Sequence, residues 1–197
     1  GGYQGHGSLA WPHQTLISWA VMMQGGVQLN LEGVRFSNEH GGYSEQAARV
    51  LAQPERTAFD VFDARVHEQC LQFEDYRNAE EAGAISIFDT LETLATELGL
   101  PQSAVLKTFK DMNACLQTGE SDHFGRQFSA ELQLKPPYYV IRVTGALFHT
   151  QGGLETSTDA RVLDTRGLPL PNLFAAGGAA RGVSGSGDSG YLSGNGL

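Results

Sequence analysis

Gly26-Val27-Gln28-Leu29-Asn30-Leu31-Glu32-Gly33-Val34-Arg35-Phe36-Ser37-Asn38-Glu39 is the stretch on which the fold turns. Val27 and Leu29 before the Asn30–Gly33 interruption, and Val34 and Phe36 after it, alternate with polar residues. That is the period of a half-buried strand. With Asn and Gly between the two runs, the spacing predicts a β-hairpin over residues 26–38.

Working outward, residues 43–53 read as a short helix, with Ser44 available as a cap and Pro54 closing it. Residues 57–62 alternate as a strand, and a polar helix follows from Ala64. Two firmer helix signals come next. Asp89-Thr90-Leu91-Glu92 places a capping residue before Leu91, Leu94, Ala95 and Leu98, with Gly99 as the stop. Ser103 precedes Val105, Leu106, Phe109, Met112 and Leu116, closed by Gly119. Apolar stripes at this spacing are core faces. From Lys135 the character changes. Pro136-Pro137 marks a boundary, residues 138–143 form a strong strand, and residues 149–154 pass through a tight glycine pair. Short strands are predicted at 160–163 and 172–176, before a glycine-rich end.

Composition narrows the function classes. A chain of 197 residues with 41% hydrophobic content can build one or two real cores. The net charge is −9 and the basic residues are scattered, so no positive stripe for nucleic acid exists. Cys70 and Cys115 lie far apart without metal spacing and read as two reduced thiols of a cytoplasmic protein. The histidines do not cluster, which gives a metal site no support. No run approaches the roughly 20 apolar residues of a membrane-spanning helix. The opening Gly1-Gly2-Tyr3 and the stop inside a glycine-rich stretch lead to the expectation that the chain is a fragment.

The opening stretch resembles the "GG-x-x-x-N-x-x-G-x-RF-x-x-E" element of the fumarate reductase/succinate dehydrogenase flavoprotein family, which includes enzymes acting on 3-oxosteroids. Gln4-Gly5-His6 sits where that family has a substrate-facing histidine, and Asp89–Leu98 resembles its "DT-x-x-x-LA" helix. His149-Thr150-Gln151-Gly152-Gly153 resembles "HT-x-GG", residues 171–178 resemble "GLFAAGE", and Leu192-Ser193-Gly194-Asn195-Gly196 resembles the flavin-binding "LGGN" stretch. Several such matches in order cover nearly the whole chain. The resemblance implies an α+β capping domain over residues 1–147 and, over 148–197, a truncated returning segment of an α/β FAD-binding domain. Its partner would be the missing N-terminal FAD domain of the same parent chain. The Gly185-Ser186-Gly187-Asp188-Ser189-Gly190 run has dinucleotide-fingerprint spacing, but no strand and no apolar helix flank it, so it reads as a loop.

By the same resemblance the cofactor is FAD, and the reaction is hydride transfer between flavin and a carbon–carbon bond of a small molecule. Arg35 and His149 are the implied catalytic residues. Gly152, Gly177, Gly178, Ser193, Gly194, Asn195 and Gly196 are the implied cofactor contacts, with Gly178 standing where the family has a Glu. Arginine is a poor acid in water, so Arg35 either carries a proton through carboxylate neighbours or pairs with a carboxylate to pin its segment. Dicarboxylate-reducing members hold substrate with a Glu and two arginines. Here Trp19, Met22 and Tyr191 occupy those places. A pocket of His6, Trp19, Met22 and Tyr191 would leave fumarate's charges unpaired, so the expected substrate is apolar or aromatic. Trp19 and Met22 also fit an ordinary helix core, and His6 and His149 fit structural roles. A competing reading is a non-catalytic binding or interaction protein that has kept the cap fold.

Overall fold

The computed structural model describes residues 2–181, and its contacts divide the chain into two compact units, His6–Ala146 and Gly1–Gly5 with Leu147–Leu197. The elements are mixed helix and strand, as the α+β reading expects.

The larger unit is organised on β4, Thr57–Asp63, all of whose residues are buried. It lies between β3, Val27–Leu29, and β6, Tyr138–Gln151, antiparallel to both. With β1, Gly2–Ala10, and β2, Thr15–Leu16, the order is β2-β1-β6-β4-β3. A further strand, β5, Ile85–Phe88, also pairs with β6. Because strand side chains alternate between faces, β4 feeds two cores. Phe59 and Val61, with Val27, Leu29 and Val140, pack against Leu94 and Ala95 of α5, Leu91–Glu97, and Val105, Phe109 and Met112 of α6, Gln102–Thr118.

On the other face Ala58, Phe62, Ile141 and Val143 meet Met22 of α1, Ala20–Met23, and Val50 of α2, Tyr43–Leu51. Val66 and Cys70 of α3, Ala64–Cys70, and Tyr76 and Ala79 of α4, Glu74–Glu81, complete that core. Helix termini follow local chemistry. Thr90 forms a capping box with Thr93 on α5, and α6 ends at Gly119, in the left-handed region at φ 71°. Gly42, not Ser44, precedes α2 and offers no side-chain cap, while Pro101 rather than Ser103 stands before α6.

The predicted hairpin is half realised. Val27–Leu29 is a strand, but no strand follows the Asn30–Gly33 turn. The outer edge of β3 is served by side chains instead: Gln28 N–H donates to Glu39 Oε1 at 3.0 Å, and the Gly26 carbonyl accepts from Arg126 Nη1 at 2.9 Å. Groups that a second strand would pair are thereby satisfied.

In the smaller unit β7, Arg161–Leu163, and β8, Pro169–Phe174, form an antiparallel pair. Leu154 N–H donates to the Ala179 carbonyl and Arg181 N–H to that of Leu154, both at 2.9 Å. A Cβ on Gly153 would stand 2.6 Å from the Ala180 carbonyl carbon, so only glycine lets the two backbones approach this closely.

Candidate active site

After β3, Asn30 builds its own turn. Its Oδ1 accepts from Glu32 N–H at 3.0 Å and Val34 N–H at 3.3 Å. Gly33, at φ 74°, closes the turn against α6, where a Cβ would meet Val105 Cγ2 at 2.9 Å. The chain then runs to Glu39 through Arg35, and both side chains are buried.

Arg35 donates to Glu39 twice, Nε to Oε1 at 2.8 Å and Nη2 to Oε2 at 2.6 Å. Its Nη1 pairs with Asp122, and Nη2 also reaches the Ser37 carbonyl at 3.2 Å. Phe124 and Phe128 face the guanidinium at 5.7 and 5.0 Å. Arg126 Nη1 donates to the same Glu39 carboxylate at 2.7 Å. Burial opposes the charge on Arg35, but its bonds and attraction to Glu39 and Asp122 win and raise its pKa further. Burial likewise opposes ionisation of Glu39, and the two arginines outweigh it and hold the carboxyl below its ordinary range. Burial dominates at Arg126 and pulls its pKa down. A guanidinium this saturated and this firmly charged is built to hold a segment in place.

A second cluster is neutral. His6 is stacked on Tyr43 with centroids 5.0 Å apart, and Trp19 meets it nearly perpendicular at 5.6 Å. Burial drives the His6 pKa down to about 4, against a smaller upward pull from the Ser8 backbone. Ser8 N–H donates to His6 Nδ1 at 3.2 Å, so the neutral ring carries its hydrogen on Nε2. The Ser8 hydroxyl binds Asp60, a fully buried carboxyl at the centre of β4, which also accepts from Gln28 Nε2 at 2.8 Å. Asp60 has no cationic partner among the described residues, and burial pushes it up to about 7 despite those two bonds. Gln46 Nε2 continues the chain to Gln28 Oε1 at 2.8 Å and the Ser37 hydroxyl at 2.6 Å.

Of the sequence-predicted residues, the larger unit brings His6 and Trp19 together. Met22 is fully buried among Val21, Val50 and Phe62, the place of an ordinary core residue. Arg35 belongs to the ionic cluster. A cleft of about 590 Å³ borders Arg35, Asp122 and α6, and its lining includes neither His6 nor Trp19.

In the smaller unit His149 is half-buried with its ring 4.2 Å from that of Phe148. Gly152 directly precedes Gly153, which packs against the chain just after Gly177 and Gly178, so the structure gathers these glycines. Nothing stands within 4 Å of a Cβ position on Gly178, which leaves its backbone open to close approach. Tyr191, Ser193, Gly194, Asn195 and Gly196 lie outside the described residues. Sequence reasoning brought Glu39 into view beside Arg35 but missed Tyr43, Asp60, Arg126 and Asp122. The "RF-x-x-E" spacing signalled Glu39.

The model of the FAD binding domain family matches residues 6–197. The "Probable fumarate reductase Ifc3" of Shewanella frigidimarina is 31% identical over 182 residues, covering 92% of this chain and 30% of that protein. Among solved structures, the open conformation of a flavocytochrome c3 fumarate reductase matches at TM-score 0.75 and 30% identity, over 98% of this chain and 33% of that one. The 3-ketosteroid delta1-dehydrogenase of Sterolibacterium denitrificans matches at TM-score 0.65 and 25% identity, over 91% and 38%. The chain thus spans about a third of the length of these relatives.

Proposed function

From the premise that the chain belongs to the FAD binding domain family, we propose that it is part of an FAD-dependent oxidoreductase acting on a carbon–carbon bond of a substrate with an apolar body. The observation that carries this reading is the neutral ring wall of His6, Tyr43 and Trp19, together with the pairing of Arg35 with Glu39 and Asp122 and of Arg126 with Glu39. A dicarboxylate seated there would bury charges while Arg35 and Arg126 are engaged with Glu39 and Asp122, at a cost of several kcal/mol per ion.

FAD supplies the two-electron hydride chemistry when bound. Gly152, Gly177 and Gly178 suit its close approach, and we propose that Ser193, Gly194, Asn195 and Gly196 join them. In the same reading residues 1–147 form the substrate cap, and residues 148–197 return to the FAD domain of the parent chain. The exposed Leu168, Leu173 and Phe174 of the smaller unit suit burial against that domain. His6 presents a neutral ring to the substrate, and Arg35 positions the segment from 33 to 39. His149 is the proposed carrier of the second proton, a role that contributes roughly 10²–10⁴-fold.

The test is a spectral titration of the full-length flavoprotein with fumarate, succinate and a steroid enone. A flavin spectrum perturbed by the enone but not by the dicarboxylates is expected. Absence of bound flavin, or fumarate reduced at ordinary enzyme rates, overturns the reading.

A further inference from the structure

Among the described residues, four buried side-chain nitrogens find no hydrogen-bond partner: Trp19 Nε1 and the Nε atoms of Arg126, Arg142 and Arg161. The arginines are readily explained. Arg142 and Arg161 are partly exposed and already carry ion pairs through Glu55 and Asp159. Arg126 lines a cavity of about 20 Å³, room for roughly one water. Trp19 stands apart. The residue is 9% exposed, and apolar Ile17, Val21 and Met22 share its core. A buried indole N–H normally has a partner, and leaving it without one costs about 1–3 kcal/mol.

We propose that the Trp19 indole N–H is a specificity-determining donor to a carbonyl oxygen of the substrate. The proposal rests on reading the His6–Trp19–Tyr43 wall as the substrate site, and it names the group that site recognises. The indole is a neutral donor, and the His6 ring beside it is neutral as well. Ser8 N–H donates to His6 Nδ1 at 3.2 Å, a bond that a neutral imidazole accepts. Arg35 and Arg126 are committed to Glu39 and Asp122. An oxygen bearing full charge would lack a counterion, whereas a ketone or enone oxygen needs only N–H donors. Nε1 is buried without an acceptor among the described residues, and a carbonyl on a ligand seated against the rings would supply one. A site that leaves a buried donor unpaired discriminates strongly against analogues lacking the matching group.

The test uses the full-length, FAD-loaded protein with a 3-oxosteroid and its 3-deoxy analogue, read by perturbation of flavin absorbance. The ketone should bind at least ~10-fold more tightly, and the ratio should fall to about 1 in Trp19→Phe. In ¹⁵N-tryptophan-labelled protein, the indole resonance missing from Trp19→Phe should move downfield in wild type with the ketone and stay put with the analogue. An unchanged affinity ratio in the variant, or an indole signal indifferent to the ketone, overturns the proposal and leaves the flavoenzyme reading intact. Should Trp19→Phe fail to hold FAD, the wild-type indole shift decides alone. If neither steroid perturbs the flavin, the apolar-substrate reading fails and this proposal with it.

Discussion

His6 and Asp60 face each other across Ser8, and folding changes the charge of both. In the unfolded chain a histidine titrates near ~6.5 and an aspartate near ~3.9. The fold takes His6 down to about 4 and Asp60 up to about 7. Between about pH 4 and 6.5, folding therefore moves a proton from the histidine to the carboxyl. Alone, His6 makes stability rise with pH across that window, because the unfolded state holds the extra proton. Alone, Asp60 makes stability fall as pH rises from about 4 to about 7, because the native state holds it. The two cancel, so the stability contributed by this pair should be nearly flat with pH. Urea midpoints from pH 4.5 to 6.5 should climb in Asp60→Asn and drop in His6→Gln, by up to ~1.4 kcal/mol per pH unit. Slopes of the same sign would show that the two sites do not titrate as stated. At the ionic cluster, Glu39→Gln leaves Arg35 with Asp122 alone and the buried Arg126 with no carboxylate, and should cost about 3–5 kcal/mol, read by the same denaturation. Arg35→Lys in the full-length enzyme should lose stability while turnover per folded molecule stays within about tenfold. A loss of roughly 10² with stability intact would return Arg35 to proton transfer.

Elements are held here by close backbone approach as much as by propensity. Gly145 lies on β6, and a Cβ there would stand 2.5 Å from the Ala47 carbonyl oxygen and 2.8 Å from Leu51 Cγ, both on α2. Its φ is not in the left-handed region, so the constraint is purely one of space. Gly145→Ala has to push α2 off the sheet and should lower stability by about 1–3 kcal/mol. An unshifted thermal midpoint would mean that α2 is looser than its packing implies. This also explains what the sequence disclosed. The strands expected at 57–62 and 138–143 and the helices α5 and α6 were legible because their apolar residues repeat with one period and their caps are local. The second hairpin arm was misread because Val34 and Phe36 alternate like a strand, while Glu39 and Arg126, 87 residues apart, cover the edge it would have paired. β5 escaped notice because Ala84-Ile85-Ser86-Ile87-Phe88 is short and only half-buried. Asp60 was invisible for a similar reason. A carboxylate between Phe59 and Val61 reads as a solvent-facing position until α2 and β3 are seen to bury that face.

For the whole molecule the decisive property is what this length of chain can bind unaided. A dinucleotide is held mainly by its pyrophosphate, which needs a strand, a glycine turn and the N-terminus of a helix in direct succession. No such succession occurs among the described residues. The gathered Gly152, Gly177 and Gly178 offer open backbone, and open backbone alone supplies contact without the charge-matched anchor. The 197-residue chain should therefore bind FAD weakly or not at all, while the full-length parent purifies yellow. Titration of FAD into the isolated chain, followed by flavin fluorescence and calorimetry, measures this directly. A stoichiometric yellow complex of submicromolar affinity would mean that the ring-facing glycines carry the binding energy and that the pyrophosphate anchor is dispensable. The same preparation tests the smaller unit's surface. Leu168, Leu173 and Phe174 are exposed on one β-pair, so adding the N-terminal remainder of the parent chain should restore FAD binding and shield these side chains together. Restoration of one without the other would separate cofactor binding from the docking of that surface.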